Sequence, residues 1–340
     1  MLDPTVARLS KYLKPSPLFG LGLGVLVAIG CALYSITLGT RDISLAVIFD
    51  SFTQFDNSFE HLIIQTVRLP RSLMAMAVGA ALAVSGAAIQ GLTRNPLAET
   101  GILGIEAGGA LAVVGTSYLF GSTPSDYAGA AFVGAGIAAI FVYIFASLGP
   151  GGVTPLNLTI AGAAIAAFIA AVTTSILIVS QSSLEELRFW LAGSLVGRDF
   201  NLFLQVLPLL IVGLILAFAL SSQIATLSLG EDVATSLGQN TLTIKLLTVT
   251  SVVLLAGSAV AIAGPIGFVG LVVPHGVRFF IKTDYRWILP YSAVYGAILL
   301  LVADIAARLL IQPQELPVGV MTALVGAPVF VYLAKTKIRA

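Results

Sequence analysis

The chain has 340 residues, 58% of them hydrophobic and only 10% charged, with a net charge of +1 and a mean hydropathy of +1.02. A soluble domain carries about a quarter charged residues, so water is excluded as the main solvent, and the near-neutral balance points to neither nucleic acid nor an acidic bulk partner. Residues 127–184 contain no Asp, Glu, Lys or Arg, and only lipid or other buried helices can surround such a stretch.

A helix needs roughly 20 mostly apolar residues to cross the hydrocarbon layer. Charges and turn residues divide the chain into ten such pieces: Pro17 to Leu38, Leu62 to Gly91, Leu97 to Leu119, Tyr127 to Leu148, Thr154 to Val179, Leu202 to Ser222, Leu242 to Ile262, Gly270 to Ile281, Ile288 to Leu309 and Val318 to Ala334. The eighth is too short to cross alone. It is expected to begin in a non-helical stretch, Gly264 to Gly267, buried in protein where irregular backbone is tolerated. Ile43 to Phe52 and Ser182 to Leu195 have amphipathic spacing and predict short helices on the outer surface. Gly79, Ala80, Ala81, Ala83, Gly86, Ala87 and Ala88 in the second span, and Gly104 and Gly108 in the third, predict close helix–helix packing.

The lysines and arginines orient the chain. With the amino terminus inside, Arg8, Lys11, Lys14, Arg94, Lys245, Arg278, Lys282, Arg286, Lys335, Lys337 and Arg339 fall on the cytoplasmic side, and Arg41, Arg68, Arg71, Arg188, Arg198 and Arg308 outside. The expectation is one transmembrane domain over 1–340, with a short cytoplasmic tail at 1–16 and both termini cytoplasmic. Ser228 to Asn240 joins the sixth and seventh spans on the cytoplasmic side. It reads as a short helix opened by Gly230 and closed by Gly238, with Val233, Ala234 and Leu237 on one face and Glu231 and Asp232 near its amino end.

Chemistry of the chain's own is not indicated. None of the six lysines lies in a G-x-x-x-x-G-K-[ST] loop, the cradle an ATP-hydrolysing subunit needs. His61 and His275 have no second ligand at metal spacing and build no hydrolytic triad, so no catalytic or metal residue is assigned. Cys31, alone in an apolar run, reads as a small core hydrophobe. Two carboxylates stand well inside apolar spans. Asp304, four residues before Arg308, predicts a local ion pair; Glu106 has no such partner and leaves open an ion-coupled secondary transporter using Glu106 and Asp304.

Four blocks of the sequence resemble the FecCD family of permeases, which includes importers of vitamin B12, haem and ferric siderophores. They are Arg68-Leu-Pro-Arg71 followed by Val78 to Gly86; Gln90-Gly-Leu-Thr-Arg-Asn-Pro-Leu-Ala-Glu-Thr-Gly101; Leu229-Gly-Glu-Asp-Val-Ala-Thr-Ser-Leu-Gly238; and Gly264-Pro-Ile-Gly-Phe-Val-Gly-Leu-Val-Val-Pro-His275 with Ala303 to Arg308, Glu315 to Gly319 and Gly326 to Phe330. The resemblance implies an all-α, ten-helix permease of type II ABC importer architecture in a bacterial inner membrane. It also implies a second permease, two ATP-binding-cassette subunits holding ATP and Mg2+, and an extracytoplasmic binding protein. The cargo it implies is an iron chelate, ferric siderophore first, with haem and cobalamin as alternatives.

The resemblance further implies residue roles. Arg68, Arg71 and Arg308 would meet acidic residues of the binding protein, as bidentate guanidinium chemistry suits. Gly230, Glu231, Val233, Ala234, Leu237 and Gly238 would form the element that seats in the ATPase. Gly149, Gly151, Gly152, Asn157, Thr173 and Ser182 would line the path or its gates, and Asn95-Pro96 and His275 would be architectural. Glu106 departs from the family, which commonly has small or amide residues there. It would face water in the path, repel an anion, or pair with a neighbouring subunit.

Overall fold

A computed structural model describes residues 17–39, 42–121, 127–311 and 314–337, and it is all-α, with no strand among these residues. The tail 1–16 with Arg8, Lys11 and Lys14, together with Arg41 and Arg339, lies outside them. In chain order the helices are α1 (Pro17–Thr37), α2 (Leu45–Thr53), α3 (Phe59–Thr93), α4 (Ile105–Phe120), α5 (Tyr127–Ser147), α6 (Pro155–Val179), α7 (Gln181–Leu191), α8 (Phe200–Ala219), α9 (Ser221–Ser228), α10 (Glu231–Ser236), α11 (Thr241–Ala263), α12 (Val269–Ile281), α13 (Tyr285–Leu309) and α14 (Val318–Lys337). Among the described residues seven are long and apolar enough to cross a membrane: α1, α3, α5, α6, α8, α11 and α13. Three more, α4, α12 and α14, have shorter apolar stretches.

Polar side chains set several helix starts. Ser44, Thr154, Asp199, Asn240 and Asp284 each accept a hydrogen bond from a first-turn N–H, which satisfies a donor that the helix itself leaves free. α3 carries a π-helical turn over Ile64–Arg68 before its regular portion.

The bundle is built around α3 and α11, of which 78% and 72% of the apolar window lie inside, against 17% for α6. Glycine makes the central packing possible. A Cβ on Gly79 would overlap the Gly296 carbonyl of α13, and one on Gly86 would overlap the Gly270 backbone of α12. Helices so close gain dispersion contacts along their whole length, in a setting where apolar burial from water gives no preference for protein over lipid.

Three expectations are corrected or sharpened. The third span does not start at Leu97. Asn95 and Pro96 open a turn, Thr100–Leu103 forms a 3-10 turn, and Gly104 at φ 67° precedes α4; proline and the left-handed glycine break the run that hydropathy joins. The sixth span ends at Ala219, and α9 follows as a separate helix. The expected non-helical stretch at Gly264–Gly267 is present, and α12 begins after Phe268, itself at φ 69°. The two amphipathic stretches form helices, α2 and α7.

Candidate functional site

At one end of the bundle, the end assigned to the outside from charge placement, three arginines gather around the close of α1. Arg68 donates to the carbonyls of Ile36 and Thr37, each at 2.8 Å. Arg308 donates to the carbonyls of Ser35 and Leu38 at 3.0 and 3.2 Å, and to Ser35 Oγ. The last carbonyls of a helix have no partner inside it and carry the negative end of its dipole. Two guanidinium groups supply both donors and charge.

Arg71 forms the second layer. Its Nε and Nη2 donate to the Asp304 carboxylate at 2.8–3.1 Å and its Nη1 to Glu315 at 2.7 Å. Asp304, 1% exposed, is also held by Arg308 at 3.1 Å, the pair expected from their spacing. Arg68, Arg71 and Arg308 are 8%, 9% and 8% exposed. All three therefore turn into the chain, where sequence reading had them facing a partner. The Arg71 partners, 233 and 244 positions away, carry no signal in the sequence.

The break between α3 and α4 packs against the break before α12. Gln90 donates to the carbonyls of Ala98 and Gly270 at 3.2 and 3.1 Å and accepts from Arg278. The Glu99 carboxylate accepts from the Phe268 N–H, at the free amino end of α12, where negative charge is favoured. Glu99 went unassigned in the sequence, although a carboxylate directly after the Asn95-Pro96 break is a candidate partner for exposed backbone. Glu106, in the first turn of α4, accepts from Thr100 at 3.1 Å. His275 lies edge-on to Phe279, within α12.

At the other end is α10. Gly230 at φ 135° and Gly238 at φ 79° bracket it, as expected. Ala234 is fully buried, whereas Leu229, Val233 and Leu237 are 71%, 43% and 70% exposed. The face expected to hold Val233, Ala234 and Leu237 together is thus split: Ala234 seats the turn on the bundle, and Leu229 joins the two others in a projecting apolar knob. The Lys245 ammonium lies 2.7 Å from both Glu231 oxygens. Chiefly through that hydrogen bond, it holds the Glu231 carboxyl below the usual carboxylate range.

The glycine turn before α6 is pinned from within. Asn157 Nδ2 donates to the carbonyls of Pro150 and Gly152 at 3.0 and 2.7 Å, and Gly151 and Gly152 take φ 79° and 73°. Asn157 therefore braces the turn. Thr173 is buried and donates to the Ile169 carbonyl of its own helix. Ser182 is exposed in the first turn of α7, 3.2 Å from Ser180 Oγ.

Helices long and apolar enough to cross a membrane, with broken stretches packed against each other, define a multi-pass membrane protein of the permease class. The chain belongs to the FecCD transport family, whose model matches residues 26–336. It is 48% identical over 312 residues to the "Probable siderophore transport system permease protein YfiZ" of Bacillus subtilis, covering 92% of this chain and 93% of that one. It is 40% identical over 320 residues to the ferric enterobactin transport system permease protein FepD of Escherichia coli, covering 94% and 95%. Its fold matches an inward-facing structure of a metal-chelate type ABC transporter with a TM-score of 0.82 at 30% identity, over 94% of this chain and 98% of the other.

Proposed function

We propose that this chain imports ferric siderophores as one of a pair of permease subunits, driven by two ATPase subunits at its cytoplasmic face and supplied by an extracytoplasmic binding protein. The observation that carries the reading is α10, a short helix anchored by Ala234 and Lys245 that presents Leu229, Val233 and Leu237 outward. Apolar side chains at the membrane exit of a chain with no ATP-binding loop need a protein cleft to cover them. The sparsely covered α6 is the face offered to the second permease, and the path runs between the two permeases. With both termini cytoplasmic, α10 and the glycine turn lie inside and the arginine cluster lies outside. There Arg68, Arg71 and Arg308 order the ends of α1, α3 and α13, and so shape the surface on which the binding protein docks.

The ion-coupled alternative loses one of its two carboxylates. Asp304 is held by two guanidinium groups, so releasing it for proton or cation cycling would take a buried carboxylate from both. The test is uptake of a radioiron-labelled ferric hydroxamate by iron-starved cells with and without this chain. Uptake that requires the chain, stops on ATP depletion and survives collapse of the proton gradient supports the proposal. Uptake that follows the proton gradient contradicts it.

A further inference from the structure

Two cytoplasmic features, α10 and the Gly149–Thr154 turn at the head of α6, meet at one side chain. Lys245 stands near the start of α11. Its Nζ holds both oxygens of Glu231 in α10 at 2.7 Å and also donates to the Val153 carbonyl at 3.2 Å. An ammonium has three donors in tetrahedral array, so one head can hold a carboxylate on one side and a carbonyl on the other. The Lys245 side chain is only 11% exposed, although that of its partner Glu231 is 43% exposed.

Both ends of this link are stiff. On one side Glu231 also accepts from Thr241 at 3.2 Å, and Gln239, just after α10, donates to the Gln223 carbonyl at 3.1 Å. On the other, Asn157 braces the turn from within, and Thr154 accepts from the Asn157 N–H at 3.2 Å to cap α6. Displacing α10 therefore either drags Val153 or breaks a part-buried charge-assisted bond. The same cleft is lined by Tyr143, whose hydroxyl is buried with no hydrogen-bond partner among the described residues. It supplies a donor for a second arrangement, so the cleft has the parts of a two-position element.

We propose that Lys245 is the link that carries movement of α10 to the turn at the head of α6, a positioning residue that couples the ATPase stroke to the cytoplasmic end of the path. The inference rests on the importer reading above.

The experiment uses proteoliposomes holding the permease with its ATPase and binding protein, and counts labelled ferric hydroxamate imported per ATP hydrolysed. Lys245→Met is expected to lower that ratio at least fivefold in complexes that still assemble, and Lys245→Arg to restore most of it. A purely structural lysine would lower import and hydrolysis together and leave the ratio unchanged. If Lys245→Met does not assemble, Glu231→Gln cuts the same link at a half-exposed position and must lower the ratio. An unchanged ratio in the assembled variant overturns the link alone. Absence of ATP-dependent uptake by the wild type overturns the importer reading and the link with it.

Discussion

Replacing Arg71 with Met removes the centre of the charge cluster at the close of α1. Asp304, 1% exposed, then keeps only Arg308, and Glu315 loses its 2.7 Å partner. Removing one member of a buried ion pair costs about 3–5 kcal/mol, because the remaining charge stays buried and poorly paired. For a chain of this size a loss of 1 kcal/mol lowers the unfolding midpoint by roughly 2 °C, so a fall of about 6–10 °C is expected. Cys31, the only cysteine and half-buried in α1, provides the assay: its labelling by a thiol-reactive dye in detergent, followed against temperature. Asp304→Asn removes the other member, and the double variant should be less destabilised than the sum of the two single ones by about 0.5–3 kcal/mol. A midpoint within 1 °C of wild type for Arg71→Met, with only weaker binding-protein affinity, would refute this reasoning and return the arginine to a direct docking role.

Elsewhere the expected changes are as specific. Gly86→Val places a branched side chain against the Gly270 backbone, where no flexible group can yield. Overpacking of this kind costs at least about 1–3 kcal/mol, read as lower yield of folded protein in membranes. Leu237→Asp, at a 70% exposed position, should leave the thermal midpoint unchanged while weakening ATPase binding at least tenfold, about 1.4 kcal/mol, in a pull-down titration. Glu231 has a lowered carboxyl value in the folded chain. Its contribution is therefore complete above the unfolded value of about 4.3 and is lost as pH falls through the lower folded one. The midpoint difference between wild type and Glu231→Gln should be steady from pH 6 to 8 and vanish only in acid.

Seven crossings were legible as long apolar runs, and α10 because Gly230 and Gly238 bracket it. The amphipathic stretches at Ile43 and Ser182 likewise announced α2 and α7. What the sequence hides is partnership. Nothing local to Arg71 tells that Asp304 and Glu315 receive it, or that Arg68 and Arg308 close α1. Arginines on the outer side of an apolar bundle read as offered to a partner until folding brings free carbonyls and carboxylates to them. Hydropathy averages over 95–104 and so misses a break made by turn chemistry at Asn95, Pro96 and Gly104. Helical periodicity placed Ala234 with Val233 and Leu237, since a six-residue helix is too short for its pattern to fix which side is covered.

Asn157 and Thr173 show the same limit from the opposite direction. The family resemblance implied a path-lining role for both, and in the structure each donates to a backbone carbonyl, the usual fate of a polar group removed from water.

The central claim is that ATP hydrolysed at the cytoplasmic face drives inward movement of a ferric siderophore through this permease. The most direct measurement is uptake of labelled ferric hydroxamate into sealed proteoliposomes that hold the permease, its ATPase and its binding protein, with no ion gradient across the membrane. Uptake that begins on addition of ATP, stops with a non-hydrolysable analogue and falls at least tenfold in Leu237→Asp is the predicted result. Uptake without ATP, or ATP-driven uptake untouched by Leu237→Asp, would contradict the account.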